Sequence, residues 1–119
     1  MEEIAIYEKP TCSKCRIALQ MLDAHGVPYR DVRYYNKPLT QKKLTELVKK
    51  LGITPKALLR TEDPVYKKNN VKPETLSDAE IIELMITHPD LMQRPILERG
   101  DRAIIGRPSE RVLAFLKEK

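Results

Sequence analysis

Cys12 and Cys15 are the only cysteines in this 119-residue chain, and two residues separate them. Cys12 stands in Pro10-Thr11-Cys12-Ser13, a loop read as opening directly into a helix. A cysteine just ahead of a helix faces unpaired backbone N–H groups and the positive end of the helix dipole, and both favour thiolate over thiol. In such places the thiol pKa falls from about 8.5 into the range of about 3.5–7.5, and the thiolate is the nucleophile. Lys14 and Arg16 are expected to add positive charge. Cys15, one helical turn on, is placed to reach back to Cys12 or to an adduct formed there and resolve it as a disulfide. The same spacing suits a small apolar residue buried on the helix face, so both roles stand for Cys15. Zinc is a third use of such a pair, but it requires about two further ligands. Only His25 and His88 remain, without a second paired spacing, and no metal is expected.

The setting for this chemistry follows from composition. Hydrophobic residues make up 41% and charged residues 33%, enough for one core under a well-solvated surface. With no Trp and a single Phe, the core must rest on Ile, Leu, Val, Met and Ala. Met1-Glu2-Glu3-Ile4 lacks the basic flank and long apolar stretch of a secretory signal. No apolar run reaches the length of about 20 residues that spans a bilayer. A cytoplasmic protein without membrane association is expected, in a compartment that keeps thiols reduced. The formal charge of +5 comes partly from the pairs Lys42-Lys43, Lys49-Lys50 and Lys67-Lys68. These are dispersed, with no basic block or aromatic-interleaved stripe, so direct nucleic-acid binding is not expected.

The elements that must hold the cysteines read clearly along the chain. Ile4-Ala5-Ile6-Tyr7 is a short apolar run and predicts a buried strand. Cys15, Ala18, Leu19 and Leu22 share one helical face, with Gly26 and Pro28 ending the helix. Tyr29 to Tyr35 predicts a second strand, followed by a turn at Asn36-Lys37-Pro38. Thr40 caps a helix carrying Leu44, Leu47, Val48 and Leu51 and stopped by Gly52. Thr54-Pro55 opens a short helix through Leu59 and Arg60, and Ser77-Asp78-Ala79-Glu80 is a capping box for a helix closed by His88-Pro89. Between them, Thr61 to Pro73 has no period and predicts a polar loop. Pro95–Glu98 and Ala103–Ile105 flank Gly100-Asp101 as a β-hairpin, and a last helix runs through Val112, Phe115 and Leu116.

A β-α-β start with its cysteine pair, several helices, then β-β-α is the plan of a thioredoxin-like α/β fold. The expected architecture is a single glutaredoxin-type domain over 1–119, with a mixed four-stranded sheet and a helical insertion at about 40–88. Arg94-Pro95 falls where such folds carry a cis-proline facing the cysteine, and it equally suits a plain proline at a strand start.

Four segments then carry a resemblance: Tyr7-Glu8-Lys9-Pro10-Thr11-Cys12, Ala57-Leu58-Leu59-Arg60, His88-Pro89 with Arg94-Pro95-Ile96, and Gly106-Arg107-Pro108-Ser109-Glu110. In this order and spacing they resemble the glutaredoxin-coupled arsenate reductase family, over nearly the whole chain. The resemblance implies that Cys12 attacks arsenate or a similar oxyanion. It also implies that Arg60, Arg94 and Arg107 hold the oxyanion and its thiol adduct, with no bound cofactor and with glutathione and glutaredoxin as electron donors. An arginine fork stays charged and matches tetrahedral oxyanions, which suits that role.

Two positions depart from the family pattern. Glu8 stands where the well-studied reductases carry a histidine, and Cys15 has no counterpart in them. A carboxylate close to a thiol raises the thiol's pKa. The C-x-x-C pair also fits related Spx-type regulators, which bind RNA polymerase and use the pair as a redox switch. A general thiol–disulfide reductase acting through Cys12 and Cys15 is a further alternative. The segment from Gly106 to Glu110 favours the reductase, because an oxyanion site uses the added guanidinium.

Overall fold

A computed structural model describes residues 3–9, 12–34, 36–60 and 72–117. They form two compact units: 1–37 with 94–119, and 38–93.

The first unit is built on a sheet of order β2-β1-β3-β4. Strand β1 (Ile4–Tyr7) pairs in parallel with β2 (Tyr29–Val32) and antiparallel with β3 (Ile96–Arg99), which pairs antiparallel with β4 (Arg102–Ile105). The sheet is mixed, as expected. Helix α1 (Ser13–Ala24) connects β1 to β2, and helix α4 (Glu110–Lys117) follows β4. Ile4, Ile6, Ala18, Leu22, Leu97, Val112 and Phe115 form the buried core, and burial of each side chain larger than that of Ala18 is worth about 1.5–3 kcal/mol. Alternation along the strands explains the choice of Ile4 and Ile6: period-two side chains share a face.

Local signals set the ends of these elements. Gly26, at φ 63°, takes the left-handed position after α1 that a side chain would resist. Gly100, at φ 61°, makes the tight turn that pairs Arg99 with Arg102. Strand β2 is shorter than the predicted Tyr29-to-Tyr35 run. Its parallel partner ends at Tyr7, opposite Val32, and after one more hydrogen bond, Glu8 N–H to Val32 O (3.2 Å), there is no strand left to pair with. Tyr35 lies outside the described residues.

The second unit holds helices α2 (Gln41–Leu51) and α3 (Asp78–Thr87), packed on each other, with 3-10 turns at Pro55–Leu58, Pro73–Thr75 and Pro89–Leu91. Thr40 caps α2 by accepting from Lys43 N–H (3.0 Å), and Gly52 ends it at φ 70°. Both bonds of the Ser77–Glu80 capping box are present. Thr54 occupies the cap position of its turn without a side-chain hydrogen bond, and that segment is a 3-10 turn ending at Leu58, short of Arg60. The predicted Thr61-to-Pro73 loop lies outside the described residues up to 71. Among the described residues no helix is long and apolar enough to cross a membrane.

One glycine ties the core to the end of the hairpin. Gly106 donates its N–H to Pro95 O (2.8 Å). A Cβ there would lie 3.0 Å from Pro95 Cγ, 3.1 Å from Val112 Cγ2 and 3.3 Å from Leu97 Cδ1. Gly106→Ala is therefore expected to destabilise the fold by about 1–3 kcal/mol. A urea midpoint that does not move would show that these neighbours give way at no cost.

Candidate active site

Cys12 is the N-cap residue of α1, and the details of that cap create the site. The chain leaves β1, turns so that Cys12 N–H donates to Lys9 O (3.0 Å), and enters the helix with Arg16 N–H on Cys12 O (3.1 Å). The Cys12 side chain takes the place a serine or aspartate oxygen usually fills, and its Sγ accepts from Cys15 N–H at 3.4 Å. The sulfur is thus held against the positive end of the helix. Cys12 is only 8% exposed, although it stands at the junction of a loop and a helix.

The hairpin supplies the opposite wall. Arg94 leads into β3 and Arg107 follows β4. Since β3 and β4 pair antiparallel with Ile96 opposite Ile105, the two arginines emerge side by side. Arg107 Nε donates to Arg94 O, and Arg107 Nη2 lies 3.8 Å from Cys12 Sγ. Strand β1 pairs with β3 so that Tyr7 opposes Ile96, and the end of β1 that leads to Cys12 meets this same corner. The Arg94–Pro95 peptide is cis, as the fold suggested, and Arg107–Pro108 is cis as well. The structure therefore brings Cys12, Cys15, Arg94 and Arg107 together. Arg60 belongs to the second unit, where its N–H donates to Leu91 O (2.7 Å) beside the isolated bridge of Leu59 with Met92.

The electrostatics separate the two thiols. Burial pushes the Cys12 thiol up. Hydrogen bonds from the Cys15 thiol and backbone and the charges of Arg94 and Arg107 outweigh it, leaving Cys12 below its ordinary value. Lys14 and Arg16, expected to help, are exposed on α1. Cys15 is fully buried and is pushed up to about 12, by burial first and then by the neighbouring Cys12 and Glu8 charges. The Cys12 thiol therefore ionises more readily than an ordinary thiol, whereas Cys15 holds its proton more tightly.

Behind them lies a carboxyl cluster that the sequence reading did not assemble. Glu8 is completely buried, and its carboxyl pKa is raised from 4.5 to about 7 by burial and by Asp31, which outweigh Arg33. Arg33 Nε lies 3.4 Å from Glu8 Oε1 and 3.3 Å from Asp31 Oδ2. Glu8 was visible as a departure from the family pattern. Asp31 and Arg33 carried no signal, because a charged residue in a short strand reads as solvated. Among the described residues no group of three or more His, Cys, Asp and Glu is arranged to hold a metal ion.

Two measurements follow. Arg107→Ala removes a charge that favours the thiolate, so the pH profile of Cys12 alkylation is expected to move to higher pH. An unmoved profile would make the 3.8 Å contact electrostatically idle. For Glu8 the folded carboxyl holds its proton more tightly than the unfolded one. Its favourable contribution is present below pH 4.5 and is lost as pH rises through about 7. Wild type is therefore expected to lose stability relative to Glu8→Gln across that window, as read by denaturant titrations at several pH values.

Comparison with known proteins identifies the family and the fold. The family model described as ArsC family matches residues 7–115. An arsenate reductase of Haemophilus influenzae is 39% identical over 114 residues, covering 95% of this chain and 98% of that protein. The uncharacterized protein YfgD of Escherichia coli is 37% identical over 116 residues, covering 97% of this chain and 98% of its own. The solved structure of an arsenate reductase from Vibrio cholerae superposes with a TM-score of 0.89 at 32% identity, covering 95% of this chain and 97% of that one. With the cysteine at the helix cap and the arginines at the hairpin's end, on a thioredoxin-like sheet, the chain belongs to the ArsC family.

Proposed function

We propose that the protein is a cytoplasmic, thiol-dependent arsenate reductase acting through the Cys12 thiolate. The observation that carries this reading is the Cys12 sulfur, capped by a helix N-terminus and flanked by Arg107 at 3.8 Å and the Arg94 charge. Such a pocket suits a tetrahedral dianion, because guanidinium forks and helix N–H groups both complement its oxygens. For Arg60 the family resemblance alone implies an oxyanion-binding role.

In the first step the Cys12 sulfur forms a bond to arsenic, and one arsenic–oxygen bond breaks, its oxygen leaving as hydroxide or, once protonated, water. Arg94 and Arg107 hold the remaining oxygens and offset the charge of the adduct. In the second step a glutathione thiolate attacks the Cys12 sulfur. A sulfur–sulfur bond forms, the sulfur–arsenic bond breaks, and its electron pair stays on arsenic, which leaves as arsenite. Glutaredoxin then takes the glutathionyl group and frees Cys12. Phosphate fits the same cradle but cannot accept these electrons, so part of the selectivity is chemical.

A second reading concerns the resolving thiol. Cys15 lies against Cys12, with its own N–H on the Cys12 sulfur. This favours an internal route in which Cys15 takes the part of glutathione and the product is a Cys12–Cys15 disulfide.

The decisive assay is arsenite formation from arsenate by the purified protein with glutathione and glutaredoxin, with Cys12→Ser as control. Turnover that disappears in the control is expected. Arg94→Ala is expected to lower arsenate turnover on the order of 100-fold, far more than it lowers disulfide reduction. No turnover from folded protein with a reactive Cys12 would overturn the reductase reading and favour a redox switch, such as one read by RNA polymerase.

A further inference from the structure

We infer that Cys12 and Cys15 together form a chelating site for trivalent arsenic. The site rests on the proposed function, because its ligand is the product of that reaction. Cys12 caps α1, and Cys15 is the third residue of that helix. The Cys12 sulfur accepts from Cys15 N–H at 3.4 Å. Side chains on a helix tilt toward its N-terminus, so the Cys15 sulfur leans back toward the cap that holds the Cys12 sulfur. The Cys15 thiol also hydrogen-bonds to that sulfur. Neither cysteine is in a disulfide. Two sulfurs therefore share one end of one helix turn, close enough to be bridged by a single atom.

The donor set selects the bridging atom. Thiolates are soft ligands and prefer soft, thiophilic centres. Zinc needs about two ligands beyond such a pair. Among the described residues no group of three or more His, Cys, Asp and Glu is arranged to supply them. Trivalent arsenic, by contrast, is complete with two sulfurs and a hydroxyl. Arg107 Nη2, 3.8 Å from the Cys12 sulfur and steadied by its Nε on Arg94 O, is a donor for that hydroxyl. Cys12 keeps 8% exposure and Cys15 has none, so arsenic meets Cys12 first and the second bond closes away from water. That second bond is intramolecular, which raises affinity over a single thiol by about 100-fold or more.

The step balances without oxidation or reduction. The Cys12 thiolate forms a bond to the arsenic of arsenous acid, and one arsenic–oxygen bond breaks, its oxygen leaving as hydroxide. The Cys15 sulfur then forms the second bond to arsenic, and its proton leaves with a second hydroxyl as water. Arsenic keeps its last hydroxyl and stays trivalent. A Cys12–Cys15 disulfide offers no thiol to arsenic, so only the reduced protein chelates. Held in this way, the product occupies the nucleophile and inhibits the next turnover.

Native mass spectrometry of the reduced protein with arsenite counts the bonds, because each sulfur–arsenic bond costs arsenous acid one water. Wild type is expected to gain arsenous acid less two waters. Cys15→Ala, which keeps a small apolar side chain on the helix face, should gain arsenous acid less one water. Its half-saturation should need about 100-fold more arsenite. A wild-type gain of arsenous acid less one water, a wild type that forms no adduct with arsenite in large excess, or a Cys15→Ala half-saturation equal to wild type overturns the chelate. Arsenite formation from arsenate, measured on the same protein, separates this site from the reading it rests on. Chelation without turnover leaves the site standing and removes the reductase, whereas turnover without chelation removes the site and keeps the reductase.

Discussion

The structure turns on one hydrogen-bonded junction, the sulfur of Cys12 used as the N-cap of α1. A cap oxygen is normally a passive partner for the first helical amides. A sulfur in that position gains charge from them, because an anion is the better acceptor and the helix end is positive. An anion under closed side chains is costly unless paired, and this constrains what surrounds it. Arg94 and Arg107 meet that need in the first unit, and they do so from the backbone geometry of a single hairpin.

That hairpin explains why remote residues converge. An antiparallel pair returns the chain to its starting edge, so the residue before β3 and the residue after β4 must be neighbours. Pairing of β1 with β3 then brings the end of β1 to the same edge. The cysteine loop and both arginines therefore meet at one corner of the sheet. Gly106 is where the return becomes tight, with Pro95 and Val112 both at the surface a side chain would occupy. Packing there and electrostatics at Cys12 are consequently one problem: displacing Pro95 displaces the arginine beside it.

The carboxyl cluster adds asymmetry. In a helix of this kind both cysteines sit near the same positive end, yet one ionises easily and the other does not. Exposure to amides and guanidinium groups decides the first. Full burial next to Cys12 and Glu8 decides the second. The departure at Glu8 thus bears electrostatically on Cys15, the other position where the chain differs from the well-studied reductases.

Much of this was legible from the residues in order. Helix starts and stops follow from caps and turn glycines, which act within a few residues: Thr40 and Gly52 bound α2, and the Ser77–Glu80 box opens α3. The nucleophile was legible too, because a helix N-terminus activates a cysteine wherever the helix lies. Which arginines serve it was not, since Arg94 and Arg107 look like any others in a chain with 22 lysines and arginines, and only the family resemblance distinguished them. Nor could the residues in order show that β2 stops at Val32, which depends on where β1 ends, or that Cys12 is largely covered. The burial of Glu8 against Asp31 was decided by tertiary structure alone. A carboxyl's protonation depends on what replaces water around it, and those groups come from a parallel strand that local sequence does not specify.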